Sequence, residues 1–297
     1  LVLHRIVAMT RALAIDIGGT KFETAIVALD GSIMERRRCD STGAVDGDAL
    51  WDRLVSIIGS TELDALDVCG VGCGGPMRRG GVGVSPLNIP VWRDFPLRDR
   101  LSSLTGLDTY IDNDAKALAL GEAWKGAAVG ESNFIGMVVS TGVGGGIVLN
   151  GRLLDGADAN AGHIGHVVVE PGGTALPHHV RGTLEAEASG TAIAFRTGRP
   201  AAEADDDEIR RAGTMVGRGI GSVANLLDLK LAVVAGSVAL GFGDPFFTAA
   251  QAEIDRVAAL QHSVGTVIRR AALGADGPLV GAAAVGFRGM GHDVGVR

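Results

Sequence analysis

The sequence predicts an α/β protein of two domains, and three observations support this. Its 297 residues are enough for about two domains of ordinary size. Apolar runs of strand length alternate with segments of helical spacing or helix-forming composition. A strand, a glycine turn and a second strand follow one another near residue 18 and again near residue 142. We place an N-terminal domain at residues 1–115 and a C-terminal domain at residues 116–297.

The N-terminal domain is predicted to begin with three antiparallel strands and to continue with alternating helices and strands. Glycine-bearing connections join the first three strands, and buried apolar runs mark the later ones. In chain order the predicted elements are strands at 11–17, 22–29 and 32–38, a helix at 46–58, strands at 66–71 and 107–111, and a helix at 114–125.

The C-terminal domain is predicted from the same signals. In chain order its elements are a strand at 134–139, a glycine turn at 142–146, a strand at 147–149, helices at 185–195 and 209–229, a strand at 231–235 and a small-residue helix at 277–287. We expect the last helix, about 277–290, to pack back on the N-terminal domain. Residues 198–207 are the most loop-like stretch, and their aspartates indicate a solvated surface or a helix start.

The composition argues against several classes of protein. The chain has 46 glycines but nine prolines and no G-X-Y period, which excludes a collagen-like structure. A net charge of −7 makes the chain a poor partner for nucleic acid or an anionic membrane. An odd count of 3 cysteines does not form a complete disulfide framework and favours a reducing, cytoplasmic location.

No targeting or membrane segment is predicted. No apolar run reaches the roughly 18 residues of a membrane span. Charged residues interrupt the first twenty positions, so a signal-peptide core is not expected. The chain begins with leucine, and Met9 is our candidate for the true start.

The first glycine turn has the composition of a phosphate-binding loop. Gly18 and Gly19 directly follow a strand, and glycine lets backbone N–H groups approach a phosphate closely. A phosphate would repel Asp16 at the end of that strand, so we expect Asp16 to act through Mg²⁺ or its bound water. An ordinary tight hairpin is the alternative for this motif taken alone.

A second glycine pattern resembles a dinucleotide fingerprint but does not fit its context. Gly70, Gly72 and Gly75 spell G-x-G-x-x-G after a strand. That fingerprint should open a helix, whereas here Pro76 follows and indicates a turn. We therefore reject a dinucleotide site, and no G-x-x-x-x-G-K-[ST] loop is present.

Four motifs in order resemble the ROK family. They are DIGGTK at 16–21, IDNDA at 111–115, STGVGGG at 140–146 and AGHIGH at 161–166. The resemblance runs from about residue 12 to the C-terminus. The family contains bacterial glucokinases, other hexose and N-acylhexosamine kinases, and sugar-responsive repressors. The resemblance implies the two-domain actin-like, ribonuclease-H-like ATPase fold, with sugar and ATP meeting in the cleft between domains.

The resemblance also implies roles for individual residues. Asp114 would be the general base that accepts the proton of a sugar hydroxyl as it attacks the γ-phosphorus of ATP. For Asn113 a helix N-cap is the alternative to a sugar contact. The residues expected to bind sugar are Gly75, Asn88, Asn113, Asp114, His163, His166 and Glu185. Those expected to bind ATP and Mg²⁺ are Asp16, Gly18, Gly19, Thr20, Lys21, Thr141, Gly142, Gly144, Gly236 and Ser237. We expect Trp92 to be a packing residue.

The chain departs from the family pattern at two places. The family usually has glutamate at the position of His163, and histidine there resembles the N-acetylmannosamine kinases, which leaves the sugar open. The family also carries three cysteines that bind a structural Zn²⁺ with a histidine. Their places here read Leu176, His178 and Thr183, so that His166 and His178 remain as possible ligands. Structural zinc takes four nitrogen or sulfur ligands, so we predict that it is absent and that packing and hydrogen bonds hold this loop.

The resulting prediction is an ATP-dependent sugar kinase that phosphorylates the C6 hydroxyl of glucose or N-acetylmannosamine. A catalytically weak sugar sensor is the first alternative, and the lost cysteines favour it. A ROK-type repressor is the second, although about ten residues before the first strand leave no room for a DNA-binding domain. The donor stays open between ATP and polyphosphate, and the resemblance implies a homodimer.

Overall fold

The computed structural model describes residues 9–59 and 61–297; the segment ahead of Met9 lies outside them. Within these residues the strands are β1 (Arg11–Ile17), β2 (Lys21–Ala28), β3 (Ile33–Asp40), β4 (Val68–Cys73), β5 (Thr109–Asn113), β6 (Phe134–Val139), β7 (Val143–Leu149), β8 (Arg152–Leu153), β9 (Leu231–Ala235) and β10 (Val267–Arg270). The α-helices are α1 (Gly47–Ile58), α2 (Leu97–Thr105), α3 (Asp114–Lys125), α4 (Leu184–Ala188), α5 (Gly190–Thr197), α6 (Asp206–Leu227), α7 (Ser237–Phe242), α8 (Asp244–Val257) and α9 (Gly277–Gly289).

The described chain divides into two units. The first comprises the described residues up to Ala117 together with Pro278–Val294, and the second comprises Leu118–Gly277 together with Gly295–Arg297. Two statements therefore stay predictions: that the domain boundary falls at residue 115, and that the last helix packs on the N-terminal domain.

Each unit is built on a five-stranded mixed sheet, and the two sheets share one topology. The first has the order β3-β2-β1-β4-β5, with β1 to β3 antiparallel and β4 and β5 parallel to β1. The second has the order β8-β7-β6-β9-β10, with β6 to β8 antiparallel and β9 and β10 parallel to β6. The predicted α/β class is therefore confirmed.

The local predictions differ from the structure in several places, and they miss helices α2 and α7 altogether. Strand β7 begins at Val143, so the predicted turn at 142–146 is wrong beyond its first residue; β7 pairs with β6 through these glycines. The single helix predicted at 185–195 is two helices, because Ser189 has extended backbone angles and its side chain caps α5. The sequence predicts no element at 244–276, where the structure has α8 and β10.

Aromatic stacking fills the core of the first unit. Trp92 is fully buried and stacks on Phe22 and Phe95, with ring centroids 5.5 and 4.4 Å away. Its indole N–H donates to the carbonyl of Gly47 at 3.0 Å. The packing role predicted for Trp92 is confirmed.

The rejected G-x-G-x-x-G pattern has a packing function. A Cβ on Gly70 would lie 2.1 Å from the carbonyl oxygen of Ala282 and 2.7 Å from the backbone nitrogen of Gly286. Strand β4 and helix α9 thus meet backbone to backbone at this glycine. Strand β4 continues to Cys73 without opening a helix, which confirms the rejection.

Glycines also allow the closest helix packing in the second unit. On α6, a Cβ at Gly213 would lie 2.4 Å from the carbonyl oxygen of Phe246, and one at Gly217 would lie 2.3 Å from that of Ala250. The side chain of Asp205 caps the start of α6 by accepting from the N–H of Glu208. The aspartate run therefore marks a helix start. Among the described residues, no helix is both long and apolar enough to cross a bilayer.

A buried carboxylate holds three segments of the second unit together. Glu122 on α3 is fully buried and accepts from the N–H groups of Ala127 (2.7 Å), Ala272 (3.0 Å) and Leu273 (3.1 Å). Hydrogen bonds to a charged acceptor are stronger than those between neutral groups. A buried N–H group that loses its acceptor lowers the stability of the fold further.

We expect Glu122→Ala to lower the free energy of unfolding by roughly 3 kcal/mol, since it removes all three bonds and leaves a void. Urea denaturation followed by circular dichroism measures this change. Glu131→Ala is the matched control, because the Glu131 side chain is 42% exposed and its carboxylate makes a surface ion pair with Arg269 at 3.5 Å. Equal midpoints for the two variants would contradict the prediction.

Candidate functional site

Two carboxylates of the first unit lie close together at the carboxyl ends of its strands. Asp16 is on β1, opposite Glu23 of β2 and Gly72 of β4. Asp114 is the first residue of α3, directly after β5. A Cβ on Gly72 would lie 3.8 Å from Asp16 Oδ1 and 3.7 Å from Asp114 Cα. Glycine at position 72 therefore keeps the space beside both residues open.

The surroundings of Asp16 oppose its negative charge. The pKa of the Asp16 carboxyl is raised from 3.8 to about 7, mainly by burial and then by the nearby carboxylates of Asp114 and Glu23. Lys21 and Arg36 act in the opposite direction. A bound cation would stabilise the ionised form of a carboxyl group in such surroundings. The oxygen donors here fit Mg²⁺, which prefers carboxylate and water ligands.

The turn between β1 and β2 is tightly organised. The N–H of Gly18 donates to the carbonyl of Lys21 at 3.1 Å, and Ser41 bonds the carbonyls of Gly18 and Thr20 through its hydroxyl and its N–H. The Lys21 ammonium lies 2.6 Å from a carboxylate oxygen of Glu23. The carbonyl groups of Gly18, Thr20 and Lys21 thus accept hydrogen bonds from within the protein. Thr20 and Lys21 are exposed.

Asn88 lies against this turn. A Cβ on Gly19 would be 2.7 Å from Asn88 Nδ2, and one on Gly74 would be 3.4 Å from Asn88 Oδ1. The carbonyl of Gly75 accepts from the N–H of Leu87 at 3.1 Å. The structure thus brings Asn88 and Gly75, both predicted to bind sugar, beside the predicted phosphate loop.

Asn113 caps helix α3. Its Oδ1 accepts from the N–H groups of Ala115 (3.0 Å) and Lys116 (3.4 Å), which is the geometry of an N-cap. The N–H of Asn113 donates to Asp112 Oδ1 at 2.8 Å, and that oxygen lies 3.0 Å from the buried ammonium of Lys116. The capping alternative is therefore confirmed, and the sugar contact of Asn113 stays a prediction.

In the second unit, the two segments predicted to bind nucleotide lie side by side. The hydroxyls of Ser140 and Ser237 are 2.9 Å apart and share a hydrogen bond. Gly236 has φ of +102°, and a Cβ there would lie 2.2 Å from the carbonyl oxygen of Val139. Glycine is therefore required for the β9–α7 turn to approach the end of β6.

The β6–β7 turn is anchored on helix α5. The carbonyls of Ser140 and Thr141 accept from the N–H groups of Gly190 (2.7 Å) and Thr191 (3.3 Å). Gly144 lies within β7, in register with Val138 of β6, and not in the turn. Of the predicted residues, Thr141 and Gly142 are thus at the turn itself.

Glu185 on α4 contacts the same turn. Its Oε2 accepts from the N–H of Val143 at 2.7 Å, and a Cβ on Gly142 would lie 2.7 Å from that oxygen. A residue larger than glycine at position 142 would displace the Glu185 carboxylate. Glu185, which is predicted to bind sugar, thus lies against Gly142, which is predicted to bind phosphate.

The AGHIGH segment packs on β7 through its glycines. Gly162 has φ of +106° and a Cβ there would lie 2.2 Å from the Gly145 carbonyl oxygen, while one on Gly165 would lie 2.1 Å from that of Val143. The rings of His163 and His166 have centroids 5.8 Å apart and are perpendicular. The glycines therefore fix where these two predicted sugar ligands lie.

The structure corrects the choice of histidine in the neighbouring loop. The family pattern points to His178 as a possible ligand, but that residue is exposed with φ of +64°. It is His179 whose ring lies 6.4 Å from the ring of His166. Sequence alignment alone does not decide which of two adjacent histidines turns inward. Across residues 9–59 and 61–297, no cluster of three or more His, Cys, Asp or Glu side chains is placed to hold a metal ion.

Hydrogen bonds and an ion pair hold this loop, residues 171–183. Glu187 on α4 is fully buried, accepts from the N–H and hydroxyl of Thr174, and pairs with Arg211 of α6. The Arg181 guanidinium donates to the carbonyl of Gly173 at 2.9 Å. Neither Glu187 nor Arg211 is predicted from the sequence, because their pairing depends on the packing of α4 against α6.

Comparison with known proteins gives consistent matches. The model of the ROK family matches residues 12–287. A glucokinase from Thermotoga maritima is 37% identical over 186 residues, which cover 62% of this chain and only 58% of that protein's length. An N-acetylmannosamine kinase from Escherichia fergusonii is 34% identical over 247 residues, covering 78% of this chain and 84% of that protein.

A solved structure extends the likeness to the fold. The crystal structure of a ROK family glucokinase from Streptomyces griseus, in complex with glucose and AMPPNP, has a TM-score of 0.80 at 26% identity. It covers 94% of this chain and 99% of that one. The likeness confirms the predicted actin-like fold. With the four motifs in order and a family model that spans nearly all of its length, this chain belongs to the ROK family.

Proposed function

We propose that this chain is an ATP-dependent sugar kinase that transfers phosphate to the C6 hydroxyl of an aldohexose or N-acylhexosamine. The observation that carries the proposal is the arrangement of Asp16 and Asp114 around Gly72, beside the glycine turn that ends β1. Both carboxylates belong to regular elements of one unit, which supports their proposed roles as base and cation ligand. The named relatives, a glucokinase and an N-acetylmannosamine kinase, support the same reaction class.

Asp114 is the proposed general base. A sugar hydroxyl is a poor nucleophile, and a carboxylate that takes its proton during attack on the γ-phosphorus makes the transfer easier. The position of Asp114 at the start of α3, behind the Asn113 cap, holds this carboxylate on a helix rather than a loop. Most of the rate enhancement then comes from positioning and from charge stabilisation.

Asp16 is the proposed partner of Mg²⁺, which accompanies ATP and neutralises phosphate charge when bound. Gly18, Gly19 and Thr20 are proposed to face the phosphates through backbone N–H groups. Lys21 pairs with Glu23 in this structure, so its contribution to phosphate binding requires release from that carboxylate.

Further predicted contact residues belong to the second unit. Its proposed nucleotide contacts are Thr141, Gly142, Gly144, Gly236 and Ser237, and its proposed sugar contacts are His163, His166 and Glu185. A histidine can donate as well as accept a hydrogen bond, whereas an ionised glutamate only accepts. His163 can therefore contact either a sugar hydroxyl or an N-acyl carbonyl, and the sugar stays open between glucose and N-acetylmannosamine.

A substrate panel tests the proposed function. ADP release is measured by a coupled assay with glucose, N-acetylmannosamine and N-acetylglucosamine, with ATP or polyphosphate as donor. We expect sugar-dependent turnover with ATP on at least one of these sugars. Sugar binding without turnover would establish the sensor alternative instead. The homodimer and the cytoplasmic location stay predictions, and light scattering tests the first.

We also expect that the chain holds no structural zinc. Elemental analysis of the purified protein should find well under one zinc per chain, and dialysis against EDTA should leave the thermal midpoint unchanged. Activity should return fully on addition of Mg²⁺ alone. One tightly held zinc per chain, with a lower midpoint after its removal, would contradict this prediction.

A further inference from the structure

We propose that His179 is a positioning residue of the sugar site, which it serves by orienting the carboxylate of Glu185. The inference rests on the proposed kinase function and adds a residue that none of the four family motifs contains. A histidine next to a carboxylate restricts the carboxylate's rotation and fixes which oxygen lone pairs stay available for a ligand.

The first line of evidence is the environment of the Glu185 carboxylate. Its two oxygens have different partners: Oε2 accepts from the N–H of Val143 at 2.7 Å, and Oε1 lies 3.3 Å from His179 Nδ1. The first contact ties Glu185 to the β6–β7 turn. The second ties it to loop 171–183. Together they hold the plane of the carboxylate, and each oxygen keeps a lone pair for a sugar hydroxyl.

The second line of evidence is the support of His179 itself. The backbone N–H of His179 donates to the carbonyl of Leu176 at 3.1 Å. Leu176 is buried in an apolar cluster with Ala186 of α4 and Ala192 of α5. The loop that carries His179 is thus packed onto the helix that carries Glu185. Packing and this hydrogen bond therefore hold His179 and the Glu185 carboxylate in their relative positions.

The third line of evidence is the continuity with the histidines of the AGHIGH segment. The ring of His179 lies 6.4 Å from that of His166, which in turn lies 5.8 Å from that of His163. When Nδ1 carries the hydrogen that faces Glu185, the opposite nitrogen of a neutral ring is an acceptor. Three imidazoles and one carboxylate thus form a continuous polar group suited to a ligand rich in hydroxyls.

The test compares four proteins: wild type, His179→Ala, His179→Asn and His178→Asn. Asparagine places an amide nitrogen near the position of Nδ1 and can keep the contact with Glu185. His178→Asn is the matched control, because His178 is the exposed neighbour and asparagine tolerates its positive φ. For each protein we would measure kcat, the KM for sugar, the KM for ATP, the thermal midpoint and sugar affinity by calorimetry.

We expect His179→Ala to raise the sugar KM and the sugar Kd about tenfold, with the KM for ATP unchanged within twofold. His179→Asn should recover most of that loss, and His178→Asn should match wild type. An unchanged sugar Kd in His179→Ala would overturn the proposal. So would equal losses for sugar and ATP with a lowered midpoint, since those indicate a structural role only.

Calorimetry separates this inference from the proposed function. A wild-type protein that binds sugar without turning it over would contradict the kinase assignment, and the four sugar affinities would still decide the role of His179. A wild-type protein that binds no sugar at all would overturn both.

Discussion

Asp114→Asn is expected to lower kcat by about a thousandfold while leaving sugar affinity within a few-fold of wild type. The amide has nearly the shape of the carboxylate and can still hydrogen-bond a hydroxyl, but it cannot accept the proton at neutral pH. Helix α3 should begin unchanged, because Asn113 supplies its N-cap. A coupled assay gives kcat, and calorimetry gives the sugar affinity.

Asp99→Asn is the control for that experiment, since Asp99 is an exposed aspartate on α2 of the same unit. Full activity of Asp114→Asn would show that another group takes the proton. Loss of sugar binding together with activity would show that Asp114 binds the substrate and would leave its role as base unsupported. If the protein is a sugar sensor and not a kinase, wild type itself shows no turnover, and neither variant changes it.

Asp16→Asn is expected to stabilise the fold at pH 8 and to abolish turnover. The folded-state pKa of Asp16 is about 7, well above its ordinary value of 3.8. Between those values the folded protein holds a proton that the unfolded chain releases, so the Asp16 carboxyl makes folding less favourable as pH rises from about 4 to 7. Above about pH 7 the carboxyl group is ionised in both states, and the loss of stability has reached its full size. Asparagine removes it, and we expect a thermal midpoint higher by on the order of 5 °C at pH 8.

Thermal melts at pH 4, 6 and 8 measure this effect. The gain from Asp16→Asn should be near zero at pH 4, intermediate at pH 6 and largest at pH 8, whereas Asp99→Asn should show no such trend. Added Mg²⁺ should raise the midpoint of wild type at pH 8 more than that of Asp16→Asn. A variant less stable than wild type at pH 8 would show that the surroundings favour the charged carboxylate and would contradict the prediction.

The strongest local patterns predicted their elements closely. The helix predicted at 114–125 has the bounds of α3, and the strands predicted at 134–139 and 231–235 have those of β6 and β9. These segments have clear helix-forming composition or continuous apolar runs, which act within a few residues of chain. The prediction of a turn at 142–146 was wrong, because glycines inside a strand show no alternation of apolar and polar side chains. Those residues are extended because they pair with β6.

For the candidate site, the motifs identified residues but not their interactions. Asp16 and Asp114 are recognisable in the sequence, yet the raised pKa of Asp16 arises first from its burial in the folded sheet and then from the carboxylate of Asp114, 98 positions away, which folding brings near it. Likewise, Glu185 is recognisable in the sequence, but its contacts with Val143 and His179 come from two other segments.

The α/β class, the types of the strongly periodic elements, and the set of residues with the right chemistry can all be inferred from the sequence. The parallel addition of β4 and β5 to β1, the backbone contact of Gly70 with α9, and the approach of His179 rather than His178 to His166 are seen only in the folded chain. The difference lies in distance along the chain, because neighbours in sequence set backbone propensity, whereas charge, packing and side-chain direction depend on residues that folding brings together.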